Sequence, residues 1–153
     1  MPAQLYVSAS KDGGTHGQKL YSLFAKDRAA YKRGTSGAGQ VLVKESWRPE
    51  RVADPASAPT RNGAARSTPS AEGGDHFHPY ARTADGEVFR AAERAGLFVM
   101  YKLDPSTPDT DTGWVYGTVS PAGEVTSAGR VASCMGCHEK APQGRLFGVP
   151  TGR

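Results

Sequence analysis

The sequence lacks a long hydrophobic run. No stretch of about 18 apolar residues occurs among its 153 residues, so it predicts no transmembrane helix. Charge of one sign is not concentrated either. The net charge is +4, but the basic residues are scattered, which favours a solvated surface over a nucleic-acid site. The N-terminal residues also lack the basic and apolar regions of a signal peptide. We predict a single domain over residues 1–153.

Cysteine is scarce: the chain has only two, and both fall in the pentapeptide CMGCH, residues 134–138. Three kinds of site use such a motif. A dithiol redox pair begins a helix in a βαβ unit, which the preceding GEVTSAGRVAS does not resemble. A structural zinc site needs four nitrogen or sulfur ligands, and Cys134, Cys137 and His138 supply three.

Covalent haem attachment is the third use, because C-x-x-C-H is the signature of c-type haem. On a helix Cys134 and Cys137 lie on one face, so both sulfurs can reach the vinyl groups along one porphyrin edge. His138, the next residue, then offers its imidazole to the iron as the proximal ligand. We predict one covalent haem c. Because its thioethers form outside the cytoplasm, we expect a periplasmic or otherwise exported protein whose leader is absent from the chain.

Short apolar runs between turn residues predict a mainly β (α+β) fold. We expect a small antiparallel sheet, short helices and a C-terminal CxxCH haem-attachment helix. The predicted strands are 19–25, 39–47 and 96–104, with a hairpin in 113–129 that turns at 120–123. The predicted helices are 26–34, with Asp27 as N-cap and Gly34 at its end, then 88–95 and 131–141. Trp47 and Trp114 are predicted core residues.

Large apolar side chains are missing between Val52 and Phe77, where Pro, Ala, Ser, Thr, Gly and Arg dominate. Connections longer than about 12–15 residues are uncommon unless they are functional or disordered. We therefore predict a mobile surface loop over residues 48–75, with a lid over the haem as the alternative.

The order of these features resembles the cytochrome P-460 family and its relatives, the cytochromes c-prime-beta. The resemblance runs from YKRG and VLVKESW through GLFVMYK and the GW of the hairpin to CxxCH, over about residues 16–148. It implies an antiparallel sheet with short helices, a homodimer, and one pentacoordinate haem c held by Cys134, Cys137 and His138. P-460 members oxidise hydroxylamine to nitrogen oxides, and c-prime-beta members bind nitric oxide and other small gases.

Lys44, in the segment VKE, is open to two interpretations. On a strand it shares a face with Gln40, Leu42 and Ser46, a mostly polar set that predicts a solvated side chain. The resemblance instead matches Lys44 to the lysine that P-460 members bond to the haem macrocycle. An amine in an apolar pocket has a lowered pKa and can act as a nucleophile toward an oxidised macrocycle carbon. Lys44 is therefore the candidate catalytic residue.

Phe98 lies at or near the position where P-460 enzymes can place a carboxylate beside the bound ligand. An apolar distal wall of Phe98 with Phe24 favours neutral diatomic ligands, and it leaves no base there to take protons from hydroxylamine. Met100 offers an alternative as a sixth ligand, although its strand of alternating apolar residues predicts a core methionine.

The predicted function is that of an exported mono-haem c-type cytochrome. Its pentacoordinate iron binds nitric oxide or hydroxylamine-type small nitrogen ligands, and a cross-link through Lys44 would make it a hydroxylamine or nitric oxide oxidoreductase. The alternative is a six-coordinate electron-transfer cytochrome c. The expected partners are a small nitrogen-oxide ligand or substrate, a redox partner protein and a second copy of the chain. Neither a nucleic acid nor a membrane span is expected.

Overall fold

A computed structural model describes residues 5–8, 16–17, 19–53, 67–69, 77–82 and 86–147. In these residues the fold is mainly β with two short helices, as the sequence predicts. The elements in chain order are β1 (Leu5–Ser8), β2 (Lys19–Ala25), α1 (Arg28–Lys32), β3 (Val41–Arg51), β4 (Ser67–Pro69), β5 (Phe77–Arg82), β6 (Val88–Lys102), β7 (Trp114–Val119), β8 (Val125–Gly129) and α2 (Ala132–His138).

The described strands form one sheet. Hydrogen bonding joins them in the order β1-β2-β3-β6-β5-β4, and β7 pairs with both β6 and β8. Five of these pairings are antiparallel: β1 with β2, β4 with β5, β5 with β6, β6 with β7 and β7 with β8. Their registers include Leu5↔Ser22 between β1 and β2 and Gly117↔Ala128 between β7 and β8. The predicted turn at 120–123 closes the β7–β8 hairpin, where the Gly123 N–H donates to the Ser120 carbonyl at 2.9 Å.

The chain divides into two compact units. The first combines Met1–Leu23 with Glu45–Gly96, and the second combines Phe24–Lys44 with Leu97–Arg153. Each has its own apolar cluster. In the first unit Leu20 and Ala91 are buried, with Trp47 and Phe89 packed against them.

The second unit carries the larger cluster, because both the sheet and α2 contribute to it. Leu42, Trp114, Tyr116 and Leu146 are buried there. Partly buried side chains that pack against this core include Ala25, Tyr31, Met100, Val131, Cys134 and Met135. Trp114 and Met100 are thus core residues, as predicted, and α2 lies on the face of the sheet that carries them.

The prediction of a helix over 88–95 is wrong, because this segment is the first half of β6. Its Ala, Glu and Arg residues favour a helix, but by only tenths of a kcal/mol each. Pairing outweighs that preference: Arg90 lies opposite Tyr80 of β5. On the other side, the Arg90 guanidinium donates to both carboxylate oxygens of Glu50 in β3, at 2.9 and 2.7 Å.

The prediction of a loop over 48–75 is wrong at two places. Strand β3 continues to Arg51, and β4 covers Ser67–Pro69. The extension of β3 has no large apolar side chains to reveal it. It is lined instead by ion pairs to β6 or the residue before it, Arg48–Glu93 at 3.3 Å and Arg51–Glu87 at 2.8 Å. The remaining parts of that predicted loop, 54–66 and 70–75, lie outside the described residues.

Helix α1 agrees with its predicted signals. The side chain of Asp27 accepts a hydrogen bond from the Ala30 N–H at 2.8 Å, so Asp27 is the N-cap. Gly34 follows the helix with φ +71°, a left-handed conformation that favours glycine. Helix α2 ends at His138, three residues before the predicted end at 141. In the described part of the chain, neither helix has the length or apolar character to cross a bilayer.

Candidate functional site

Helix α2 carries both cysteines and the histidine, because its sequence is ASCMGCH. Cys134 is half-buried and packs against the second unit's core, whereas Cys137 is exposed. Burial raises the pKa of the Cys134 thiol, an effect that the Ser133 hydroxyl partly offsets and the neighbouring Cys137 reinforces. Reactive dithiols have lowered thiol pKa values, so the raised pKa of Cys134 does not favour a redox role for this thiol.

His138 has a defined orientation. Its Nδ1 lies 2.7 Å from the carbonyl oxygen of Arg145. A carbonyl can only accept, so Nδ1 carries the proton and Nε2 is the nitrogen with the lone pair. The imidazole also stands between two aromatic rings, Tyr116 at 5.4 Å and Phe147 at 5.2 Å between centroids. A histidine that binds a metal through Nε2 has this arrangement at its other nitrogen.

Arg145, whose carbonyl meets His138, forms a hydrogen-bonded ion pair with Asp111. The Arg145 guanidinium makes three hydrogen bonds of 2.8 to 3.0 Å to the Asp111 carboxylate. The Asp111 side chain is only 4 % exposed and also accepts the Tyr116 hydroxyl at 2.7 Å. Burial raises the pKa of Asp111, but the hydrogen bonds from Arg145 and Tyr116 lower it more, so the pKa lies below its usual value.

The turn that presents Asp111 is held closely. Thr112 has φ +50°, and Gly113 follows at φ +88°. A Cβ on Gly113 would lie 2.7 Å from the Leu103 carbonyl oxygen, so only glycine fits there. Lys102 donates to the Thr112 carbonyl at 2.6 Å, and its ammonium lies 5.0 Å from the ring centroid of Trp114. Burial lowers the pKa of Lys102, although the Asp111 charge raises it in part.

Lys44 and Phe98 lie on one face of the sheet. The Lys102 N–H donates to the Gln40 carbonyl at 2.9 Å, which fixes the register of β6 beside β3. Phe98 lies four residues before Lys102, and Lys44 lies four residues after Gln40. Because side chains alternate between the two faces of a strand, both lie on the same face as Leu42. Both side chains are partly buried. The polar residues of this face predict exposure to solvent, but Gln40, Leu42 and Ser46 are all buried.

Phe24 lies on the opposite face of the sheet. Ala25 packs against the cluster that contains Leu42, and successive strand residues point to opposite faces. Phe24 is accordingly 40 % exposed. The predicted pairing of Phe24 with Phe98 in one wall is therefore wrong within β2 and β6 as described, because a one-residue step on a strand reverses the face.

Three residues of this site were missed from the sequence: Asp111, Tyr116 and Arg145. The Asp111–Arg145 pair spans 34 residues, and its members lie in turns without a local motif. In the described ranges, no group of three or more His, Cys, Asp or Glu side chains is arranged to hold a metal ion. A structural zinc site thus has no ligand set among those residues.

A scan against models of protein families and a search of curated proteins found no match to this chain. The resemblance described above therefore depends on the chain's own motifs, their order and their spacing. The side chains on and around α2 are therefore the basis for the proposed function.

Proposed function

We propose that this protein is an exported mono-haem c-type cytochrome of the P-460/c-prime-beta type. Cys134 and Cys137 would hold the haem through thioethers, and His138 would be its proximal ligand. One observation carries the proposal. The residue after the second cysteine is a histidine whose Nδ1 is tied to a backbone carbonyl at 2.7 Å, which leaves Nε2 as the basic nitrogen.

The two cysteines fit this role through their placement on α2. Residues three apart on a helix lie on the same side, and the helix spans Ala132–His138. Burial raises the pKa of the Cys134 thiol, which disfavours the thiolate that disulfide exchange needs. Met135 and Val131 pack against the core, so the helix that carries the motif has a defined position on it.

When bound, haem c supplies an iron with a coordination position for a small ligand. Phe98 lies on the Leu42 face of β6 and would give the ligand an apolar neighbour. Nitric oxide is a small neutral ligand of this kind, and hydroxylamine-type ligands are close relatives of it. Nitric oxide binding is therefore the favoured activity.

Lys44 is proposed to bond to the macrocycle, as in the P-460 members. Its place on the partly buried face with Phe98 supports this role over a solvated one. Forming the bond replaces one N–H and one C–H bond by an N–C bond and releases two protons and two electrons, so it needs a peroxide-class oxidant. With the link, the protein would turn over hydroxylamine or nitric oxide. Without it, the protein would bind gases.

The alternative is a six-coordinate electron carrier that uses Met100. Met100 packs against the buried cluster of Leu42, Trp114, Tyr116 and Leu146. A side chain engaged in that core would have to leave it to bind iron, so this function is the less favoured one. The proposed partners are a small nitrogen-oxide ligand, a redox protein and a second copy of the chain.

The test is to express the chain behind an export leader with c-type maturation machinery and to record its spectrum. We expect covalent haem, a high-spin ferric state and, with the Lys44 link, a strongly red-shifted Soret band after reduction. Cys134→Ser and Cys137→Ser together should abolish thioether attachment of the haem. Colourless wild-type protein, or one zinc per chain, would overturn the proposal, and a low-spin ferric spectrum would favour the electron carrier.

A further inference from the structure

We propose that Asp111 and Arg145 are positioning residues for His138: their ion pair holds the backbone carbonyl that fixes the imidazole. The inference depends on the proposed function, since it assigns these residues a role toward a haem iron ligand. Neither residue needs to touch the haem to play this part. They would act through the bond between the Arg145 carbonyl and Nδ1.

The backbone of Arg145 gives the first argument. Its φ is +77°, in the left-handed region that non-glycine residues rarely adopt. Such a conformation is energetically costly and persists when the surrounding structure over-determines it. The neighbouring Gly144, at φ +57°, shows that the turn does use glycine where no side chain is required. An arginine in the next position indicates that its side chain is needed.

The side chain of Arg145 supplies the second argument. All three of its hydrogen bonds go to one carboxylate, that of Asp111. The planar fork of a guanidinium on a carboxylate fixes direction as well as distance. Because the carbonyl that meets Nδ1 belongs to the same residue, restraining the guanidinium also restrains that carbonyl.

Asp111 is in turn anchored from several sides, which gives the third argument. Tyr116 donates its hydroxyl to the carboxylate, and its ring lies beside His138. The backbones of Asp111 and Trp114 exchange two hydrogen bonds of 2.9 Å, and the Trp114 indole N–H donates to the Gly144 carbonyl at 3.3 Å. The turns around residues 111 and 145 are therefore joined at more than one point.

These contacts have a chemical consequence for the imidazole. Donating Nδ1–H to a carbonyl makes Nε2 more basic, which strengthens its bond to a metal and favours the oxidised iron. Loss of the ion pair would let the Arg145 turn relax and would weaken that donation. The expected results are a lower iron–histidine stretching frequency and a higher reduction potential.

The experiment uses the full-length haem-loaded protein and the variants Asp111→Asn and Arg145→Gln. Resonance Raman spectra of the ferrous protein report the iron–histidine stretch, and a redox titration reports the potential. We expect both variants to shift the stretch downward and the potential upward. The matched control is Glu50→Gln, which breaks another bidentate arginine–carboxylate pair, that of Arg90 in the first compact unit. This control should shift neither quantity.

The outcomes separate the two proposals. Haem-loaded variants with an unchanged stretch and potential would overturn the positioning role and leave the haem proposal standing. Wild-type protein without haem would overturn both. Should the variants fail to fold, the wild type still decides: its ferrous NMR spectrum must contain an exchangeable, strongly shifted Nδ1 proton from His138. Absence of that proton would overturn the positioning role alone.

Discussion

Lys44 is the residue whose proposed bond to the haem would separate an oxidoreductase from a gas-binding protein. We expect Lys44→Leu to remove the red-shifted Soret band of the reduced protein and to leave an ordinary haem c spectrum. The reason is that leucine fills a similar volume on the partly buried face but offers no amine to the macrocycle. Absorption spectra of reduced protein, recorded native and after denaturation, measure the effect.

Lys26→Leu is the control for that experiment, because Lys26 is exposed beside the start of α1. It should keep the spectrum of the wild type. If Lys44→Leu and wild type have identical spectra, Lys44 takes no part in the chemistry. The protein would then stand with the gas-binding members that lack the link.

Asp111 should make the stability of the protein sensitive to acid. Its folded pKa is lowered, so it contributes stability above the unfolded pKa, about 4, and loses it as pH falls through the folded value. We expect Asp111→Asn to cost about 3 kcal/mol of unfolding free energy at pH 7. The difference in unfolding free energy between Asp111→Asn and wild type should narrow below about pH 4. Urea unfolding from pH 7 to pH 3 measures it.

The charged or titratable groups that act on Asp111 are Arg145, Tyr116 and Arg130, and the ammonium of Lys102 also interacts with its charge. Asp109→Asn is the matched control, since Asp109 is an exposed aspartate in the same turn with a left-handed φ of +55° that asparagine tolerates. This control should cost little at any pH. A gap for Asp111→Asn that stays constant into acid would contradict the expected ionised state.

The proposed haem-attachment residues could be predicted from sequence because C-x-x-C-H is a motif of adjacent residues. Cys134, Cys137 and His138 are contiguous, so no tertiary information is needed. Asp111 and Arg145 could not be found in this way. They meet only after two turns with left-handed backbones close, and neither turn has a periodic apolar pattern.

Helix α1 depends on a side chain outside it. Gln40, only 4 % exposed, accepts from the Asp27 N–H and donates to the Asp27 carbonyl, both at 2.8 Å. We expect Gln40→Ala to cost about 2 kcal/mol, because it removes two bonds to the part-buried backbone of Asp27. Asp27→Ala should cost only about 1 kcal/mol, since it removes one exposed cap bond. Urea unfolding of both variants would show the order, and equal costs would contradict it.

The strands show why local signals predict some elements and miss others. Strand β2 and helix α1 were predictable from an apolar run and an N-cap. The first half of β6 was not, because its Ala, Glu and Arg residues favour a helix until β3 and β5 pair with it. The end of β3 was not predicted for a related reason. Charged pairs such as Arg51–Glu87 replace the apolar alternation by which strands are recognised.

The two apolar clusters of the described residues lead to the last prediction, because residues of α2, the proposed haem-attachment helix, pack against one of them. Leu20, 0 % exposed, packs with Ala91, whereas Leu42, 4 % exposed, belongs to the cluster that contacts Cys134 and Met135. Leu20→Ala and Leu42→Ala should each cost about 3 kcal/mol of unfolding free energy.

Their effects on the haem should differ even though their effects on stability match. Leu42→Ala opens space beneath α2, so we expect it to change the haem absorption spectrum and the iron–histidine stretch of the folded protein. Leu20→Ala should leave both as in wild type, because its cluster contains no residue of α2. Spectra taken well below each variant's melting temperature make the comparison. Equal spectral changes in the two variants would mean that the haem does not depend on the cluster around Leu42, and the attachment site would then have to be sought away from that core.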